Sequence, residues 1–313
     1  VRILVAGCGA IGAIYAGYLS RVAAVTAFDV DRAHVAAIER DGLQLSGRSA
    51  FTAPLRATAD PGQLAGEAFD VVLVMVKSTA TAAAFDGLRP FLRGEPLLAT
   101  LQNGMDNVDA LAARCSWDIA HGVSTEAARV IAPGRVEHFI HGEESWIGPA
   151  RGSLARVERL AVLLNQSGMP TRLAANPLGA VWAKFIFNCV MNPLGAIVLG
   201  ENRARYQVPE MCDLIDAMFA ECIELPRVQG IELPFDPMGL VRRTRSGELA
   251  LTRHAGSMAA DLAAGRDTEL EVLTGWLVRK ARALGVPVPV TEAVYRLAKG
   301  VEYATRLTKR QAD

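Results

Sequence analysis

Short apolar runs alternate with helical periodicity through the first half of the chain. Residues 1–6 (VRILVA), 23–28, 70–76 (DVVLVMV) and 97–101 read as strands, with helical patterns over 10–21, 31–41, 79–87 and 106–114 between and after them. The 70–76 run is β-branched and does not alternate, as expected of a parallel strand covered on both faces. Strands separated by helices predict βαβ units and an α/β, doubly wound parallel sheet. Between Asp41 and Pro61, Gly and Ser break up short β-type runs, which predicts a small hairpin. From 118 to 148, strand-like runs punctuated by Gly122, Gly134, Gly142 and Gly148 predict antiparallel additions to the sheet edge. A helix over 152–166 then meets the stop signals Ser167-Gly168 and Pro170. Beyond it, 176–200, 208–229, 254–265, 268–284 and 290–307 carry helical periodicity almost without strand patterns, so the second domain is expected to be all-helical, with the division at 1–170 and 171–313. Pro226 is expected to interrupt or kink its helix, and Pro234 and Pro237 to bound a loop.

Two domains also suit a length of 313 residues. Lys and Arg number 33 and Asp and Glu 33, and neither half is a polycation, which argues against nucleic acid or an anionic membrane as partner. Although 51% of residues are hydrophobic, no uninterrupted apolar run reaches the roughly 18–20 residues of a membrane span. The strand pattern at Val1 leaves no room for a signal peptide, so a cytoplasmic protein is expected. The five scattered cysteines, Cys8, Cys115, Cys189, Cys212 and Cys222, read as free thiols in a reducing compartment. His138 and His141, three apart on a strand, are expected to point to opposite faces, and no metal site is expected. The apolar helical domain leaves a homodimer open.

The sharpest local signal is Gly7, Cys8, Gly9, Ala10, Ile11 and Gly12, a GxGxxG directly after the first strand and opening the first helix. Asp29 follows at the end of the second strand, 22 positions after Gly7. In that setting Gly7 makes the tight turn, Gly9 admits the pyrophosphate, and Gly12 lets helix and strand pack closely. A tight turn without ligand is the bland alternative. Asp29 favours NADH over NADPH, because a 2′-phosphate would set like charges about 4 Å apart, at about 4 kcal/mol per pair for an effective dielectric near 20. Arg32 leaves neutralisation of that phosphate open.

A second signal lies on the apolar helix 176–200. Lys184, Asn188 and Asn192 fall at about 0°, 40° and 80° around it, on one face. A solvent-facing stripe would ordinarily recruit Glu, Lys and Arg. A lysine with two amides suits a polar substrate facing a nicotinamide, with Lys184 as proton donor. Ser257-Met258 and Thr268-Glu269 form a further group, in which Thr268 is a plausible N-cap and the dipole accounts for one of Glu269 and Glu271. Lys77 and Asn103-Gly104 sit at carboxyl ends of sheet strands, where such folds place ligands.

Together, Gly7 to Gly12, Lys77, Leu101-Gln102-Asn103-Gly104, Lys184-x-x-x-Asn188-x-x-x-Asn192-Pro193, Asn202, Ser257-Met258 and Thr268-Glu269 resemble the ketopantoate reductase family, in order and over essentially the whole chain. The resemblance implies a Rossmann domain joined to a helical domain, with a 2-oxoacid held in the cleft between them. It makes Lys184 the general acid and Glu269 the carboxylate that positions substrate and lysine. Asn103, Asn188, Asn192, Asn202 and Ser257 match substrate-contacting positions, and Lys77, with Asn103, lies on the cofactor side. The implied reaction is NAD(P)H-dependent reduction of ketopantoate to pantoate, a step of pantothenate biosynthesis. The family generally uses NADPH and often carries a basic residue after the second strand, where this chain has Asp29. A different 2-oxoacid or 2-hydroxyacid on the same scaffold, and a non-catalytic dinucleotide sensor, stay open.

Overall fold

A computed structural model describes residues 1–251 and 256–310 of the chain. They fall into two compact units, residues 1–102 with 106–178, and residues 103–105 with those from 179 onward.

The first unit runs β1 (Arg2–Ala6), α1 (Ala10–Leu19), β2 (Ala24–Phe28), α2 (Arg32–Asp41), β3 (Leu43–Gly47), β4 (Phe51–Ala53), β5 (Arg56–Thr58), β6 (Val71–Val74), α3 (Thr81–Leu88), β7 (Leu97–Thr100), α4 (Asn107–Ala112), β8 (Ile119–Val123), β9 (Ala127–Ala132), β10 (Arg135–Ile140), β11 (Ser145–Arg151), α5 (Leu154–Ser167) and β12 (Thr171–Leu173). Its main sheet has the order β12-β11-β8-β7-β6-β1-β2-β5. Only the β11–β8 pairing in it is antiparallel.

Successive residues of the central strands feed two separate cores, which is why those strands are apolar without alternating. Ile3, Val5, Val71 and Leu73 pack with Ile14 and Tyr15 of α1 and Val157, Leu160 and Leu164 of α5. Leu4, Ala6, Val72 and Val74 pack on the other side with Phe85, Leu88, Leu111 and Trp117. The chain goes from β1 outward to β2, then returns to place β6 on the other flank of β1. The strand order therefore reverses between β1 and β6, and ligands bind at the carboxyl ends beside such a reversal.

Two expectations for this unit need correction. The strands of 118–148 do not all extend the main sheet, for β9 and β10 join β3 and β4 in a second sheet of order β4-β3-β10-β9. The expected hairpin is the β3–β4 pair, and β10 runs parallel to β3. Apolar alternation shows that a segment is a strand but does not choose between distant partners. The expected boundary at 170 also falls short, because β12 pairs with β11 and the unit extends to Leu178.

The second unit contains α6 (Leu178–Ile197), α7 (Asn202–Gln207), α8 (Pro209–Val228), α9 (Gly239–Arg245), α10 (Ser257–Ala263), α11 (Trp276–Leu284) and α12 (Pro289–Arg310). Helices α7 and α9 are too short to show a period, and residues 254 and 255 of the helix expected from 254 lie outside the described residues. Pro226 sits in the last turn of α8 and does not end it. Helix α6 is long and apolar enough to cross a membrane, but 78% of its apolar window is buried within the protein, as befits a core helix. Trp182 and Phe185 of α6 meet Trp276 of α11 at ring-centroid distances of 5.8 and 5.2 Å.

Pro193 lies inside α6 and has no N–H to offer the carbonyl of Cys189, one turn earlier. That carbonyl instead accepts a 2.9 Å hydrogen bond from Thr274 Oγ1, which is fully buried in a π-helical turn over Glu271–Gly275. Thr274→Val should cost about 1–3 kcal/mol in denaturant unfolding, since it strands a buried acceptor, while Thr274→Ser should cost much less. Equal stability of the two variants would remove this role from the hydroxyl.

Candidate active site

The GxGxxG segment is the turn from β1 to α1. Gly7 has φ +95°, and a Cβ there would lie 2.6 Å from Val76 N, just past β6. At Gly12 a Cβ would come within 1.9 Å of the Gly7 carbonyl oxygen, so both glycines are required by the protein itself. Gly9 is different: a Cβ there would meet nothing within 4 Å. It caps α1, which has no side-chain cap and no acid in its first turn. The first intrahelical bond is donated by Ala13 to Gly9, which leaves the amides of Ala10, Ile11 and Gly12 facing outward at the positive end of the dipole. An open glycine before uncapped amides is a cradle for an anionic group, and the residues present fit a dinucleotide pyrophosphate.

Asp29 follows β2 directly, where Oδ1 accepts from Asp31 N at 3.0 Å. Its charge reaches the turn: burial, and then Asp29, push the Cys8 thiol far above its ordinary pKa. Lys77 is exposed just beyond β6, next to the Met75–Val76 backbone against which Gly7 packs. Two supports were not visible in the sequence. The ring of His34 joins the Cys8 carbonyl (Nε2 to O, 2.9 Å) to the Gly134 amide, which donates to Nδ1 at 3.1 Å. Those partners require the neutral tautomer with its proton on Nε2. Gln102, next to Asn103, donates to the Val76 carbonyl at 2.5 Å and to Thr81 Oγ1 at 2.9 Å, tying together the ends of two strands.

In the second unit, three separate stretches of chain meet. Asn188 Nδ2 donates to Asn103 Oδ1 at 3.0 Å, and Asn103 Nδ2 faces Glu269 Oε2 at a long 3.4 Å. Lys184 lies one turn before Asn188 on the same side of α6, and Asn192 one turn after it. Lys184 is half-buried, and desolvation lowers its pKa below the usual lysine value of 10.5. Its ammonium stands 5.3 Å from the Phe187 ring centroid and forms no ion pair among the described residues. The result is a cation without an ion-pair partner among the described residues, on the helix face that carries Asn188 and Asn192.

Glu269 and Glu271 separate as the helix dipole alone could not decide. Glu271 is occupied by Tyr295, Lys299 and Arg279, whereas Glu269 is the one beside Asn103. Thr268 accepts from Leu270 N at 3.2 Å and donates to Glu302 at 2.7 Å, but it is not the expected cap, since the π-helical turn that follows starts from Leu270 without a side-chain cap. Asn202 is buried with its Oδ1 taken by the Arg205 guanidinium, which also donates to the Met191 carbonyl at 2.9 Å. Ser257 is exposed at the start of α10, and among the described residues no hydrogen bond joins it to Asn103, Lys184 or Asn188.

His138 and His141 overturn their expected divergence. β10 ends at Ile140, so His141 escapes the strand pleat and both rings reach Glu126 Oε2, at 2.7 and 2.9 Å.

Comparisons with known proteins agree over both units. Residues 3–152 match the family described as ketopantoate reductase PanE/ApbA, and 176–302 match its C-terminal part. The 2-dehydropantoate 2-reductase of Halobacterium salinarum is 32% identical over 305 residues, covering 96% of this chain and 98% of that one. The homologue from Pyrococcus abyssi is 27% identical with the same coverage. Among solved structures, a PanE/ApbA family ketopantoate reductase from Ralstonia eutropha superposes with a TM-score of 0.85 at 32% identity, over 98% of this chain and all of that one. D-mandelate dehydrogenase with NADH and anilino(oxo)acetate shares the fold, with a TM-score of 0.85 at 22% identity over 97% of this chain and 99% of that one. With both of its units matched by the family's two parts and a relative 32% identical over nearly the whole chain, the chain belongs to the ketopantoate reductase family.

Proposed function

We propose that this enzyme reduces ketopantoate to pantoate, using NADH in preference to NADPH. The observation that carries the reading is the desolvated ammonium of Lys184, without an ion-pair partner among the described residues, on the helix face that also presents Asn188 to Asn103, which in turn faces Glu269. A bound nicotinamide dinucleotide supplies the hydride. Lys184 donates a proton to the carbonyl oxygen as it becomes an alkoxide, a positive group placed where negative charge develops. The Asn103–Asn188 pair and Glu269 hold the polar ends of the substrate and fix the lysine, and Asn192, Asn202 and Ser257 complete its surroundings. Gly7 to Gly12 take the pyrophosphate, Asp29 the adenosine ribose, and Lys77 the cofactor side of the site. Five free thiols support a cytoplasmic setting.

The test is a nicotinamide absorbance assay over a panel of 2-oxoacids with both cofactors. Ketopantoate should give the highest kcat/KM. A preference for another 2-oxoacid would reassign the substrate on the same scaffold, and no turnover with any would leave a dinucleotide-binding protein. Asp29→Ser should raise the NADPH-to-NADH ratio of kcat/KM by roughly 10- to 100-fold, between the effects expected from about 1 kcal/mol in water and about 4 kcal/mol near a protein surface. An unchanged ratio would remove Asp29 from cofactor choice.

A further inference from the structure

We propose that Glu126, His138 and His141 form a binding site for a divalent transition-metal ion of the zinc type. Glu126 precedes β9, His138 lies on β10, and His141 just follows it. One donor atom from each lies within 4.8 Å of the other two. The Glu126 side chain is 1% exposed and that of His138 is fully buried, while His141 at 32% opens the group to solvent.

The charge balance points to a cation. Glu126 Oε2 receives both imidazoles and the Gly142 amide at 3.3 Å, yet among the described residues no Lys or Arg pairs with this carboxylate. A carboxylate so enclosed, with no Lys or Arg beside it among the described residues, carries a desolvation cost that a divalent ion would offset. Two imidazoles and a carboxylate are a donor set that zinc takes, with water in the fourth position, and the exposed side of His141 provides the opening for it.

The surroundings hold the ligands as metal-binding histidines are usually held. His138 Nδ1 is 2.6 Å from Ser49 Oγ, itself 2.8 Å from the Tyr18 hydroxyl, which leaves Nε2 as the atom facing Glu126. Tyr18 also stacks on His141, with ring centroids 5.8 Å apart and planes at 25°. Beside Glu126, the buried hydroxyl of Thr125 has no hydrogen-bond partner among the described residues, and it packs over Gly142, where a Cβ would come within 2.0 Å of it. Binding requires the ligands to part from hydrogen-bond to coordination spacing, a side-chain movement of about 1 Å.

The test uses the full chain, stripped with chelator and titrated with Zn²⁺ by calorimetry and with Co²⁺ by visible absorbance. One ion per chain should bind, with a cobalt ligand-field band and no thiolate charge-transfer band despite the five cysteines. Zn²⁺ at a hundredfold excess over Kd should raise Tm by roughly 5 °C or more. Glu126→Gln and the surface-side His141→Ala should each weaken binding by about 100-fold or more. His141→Ala keeps the test valid if Glu126→Gln fails to fold. No saturable binding below millimolar metal, binding unchanged in His141→Ala, or a thiolate band would each overturn the proposal. The first of these would make the cluster a proton-mediated network.

Discussion

Replacing Lys184 by methionine should lower kcat by roughly 10²- to 10⁴-fold, the usual worth of a positioned general acid, and leave the dinucleotide dissociation constant near wild type. The same change should raise Tm. The ammonium is desolvated and has no ion-pair partner among the described residues, so the fold bears that cost, and methionine fills a similar volume without charge. The pH dependence follows from the same displacement. The folded pKa lies below the ordinary 10.5, so between those two values the unfolded chain binds more protons and stability rises with pH. The cost of the buried charge is complete below the folded pKa and absent above the unfolded one. In catalysis the group must start protonated, so kcat for reduction should fall as pH rises through that depressed pKa, and the methionine variant should lack this limb. Turnover close to wild type would exclude Lys184 as the acid, and an unchanged Tm would mean that its ammonium is solvated.

The second large effect is a contrast between two glycines of one turn. Gly12→Ala puts a methyl 1.9 Å from the Gly7 carbonyl oxygen and 3.2 Å from Met75 Cβ, and the first contact is with backbone that cannot turn aside. Helix α1 would have to back away from β1, and its residues 12–19 are all buried. A loss of roughly 3 kcal/mol or more is expected, with dinucleotide binding lost as well. Gly9→Ala meets no protein atom, so Tm should hold while dinucleotide affinity falls by about tenfold or more, because the methyl occupies the approach of the pyrophosphate. Thermal melts and cofactor titrations of the two variants separate these outcomes. Unaltered affinity in a folded Gly9→Ala protein would remove the cradle from the binding account.

Features encoded within a few residues were the ones legible in the sequence. The glycine spacing, the unalternating strand at 71–74 and the 100° step that sets Lys184, Asn188 and Asn192 on one side of α6 need no distant partner to be recognised. Features that depend on where a segment ends or on what meets it were not. His138 and His141 converge because β10 stops one residue before His141, and element ends are set by hydrogen bonds that the pattern does not record. Pro193 announced an unsatisfied carbonyl but not which hydroxyl would answer it, and Thr274 lies 85 residues from Cys189. Asn202 carried no sign that Arg205 would take its oxygen, and Ser257 none that it would stand exposed at the start of α10.

The imidazole that bridges Cys8 and Gly134 has a consequence for chimeras. The glycine-rich turn is not a portable cassette, since its shape depends on a ring 26 residues downstream that is steadied from another 100 residues further along. A hybrid that grafts the first fifty residues onto a homologue would carry the donor's histidine but the recipient's loop at 134. Its nucleotide affinity should then follow whether that loop restores an amide facing the ring, more than how well the grafted motif is preserved.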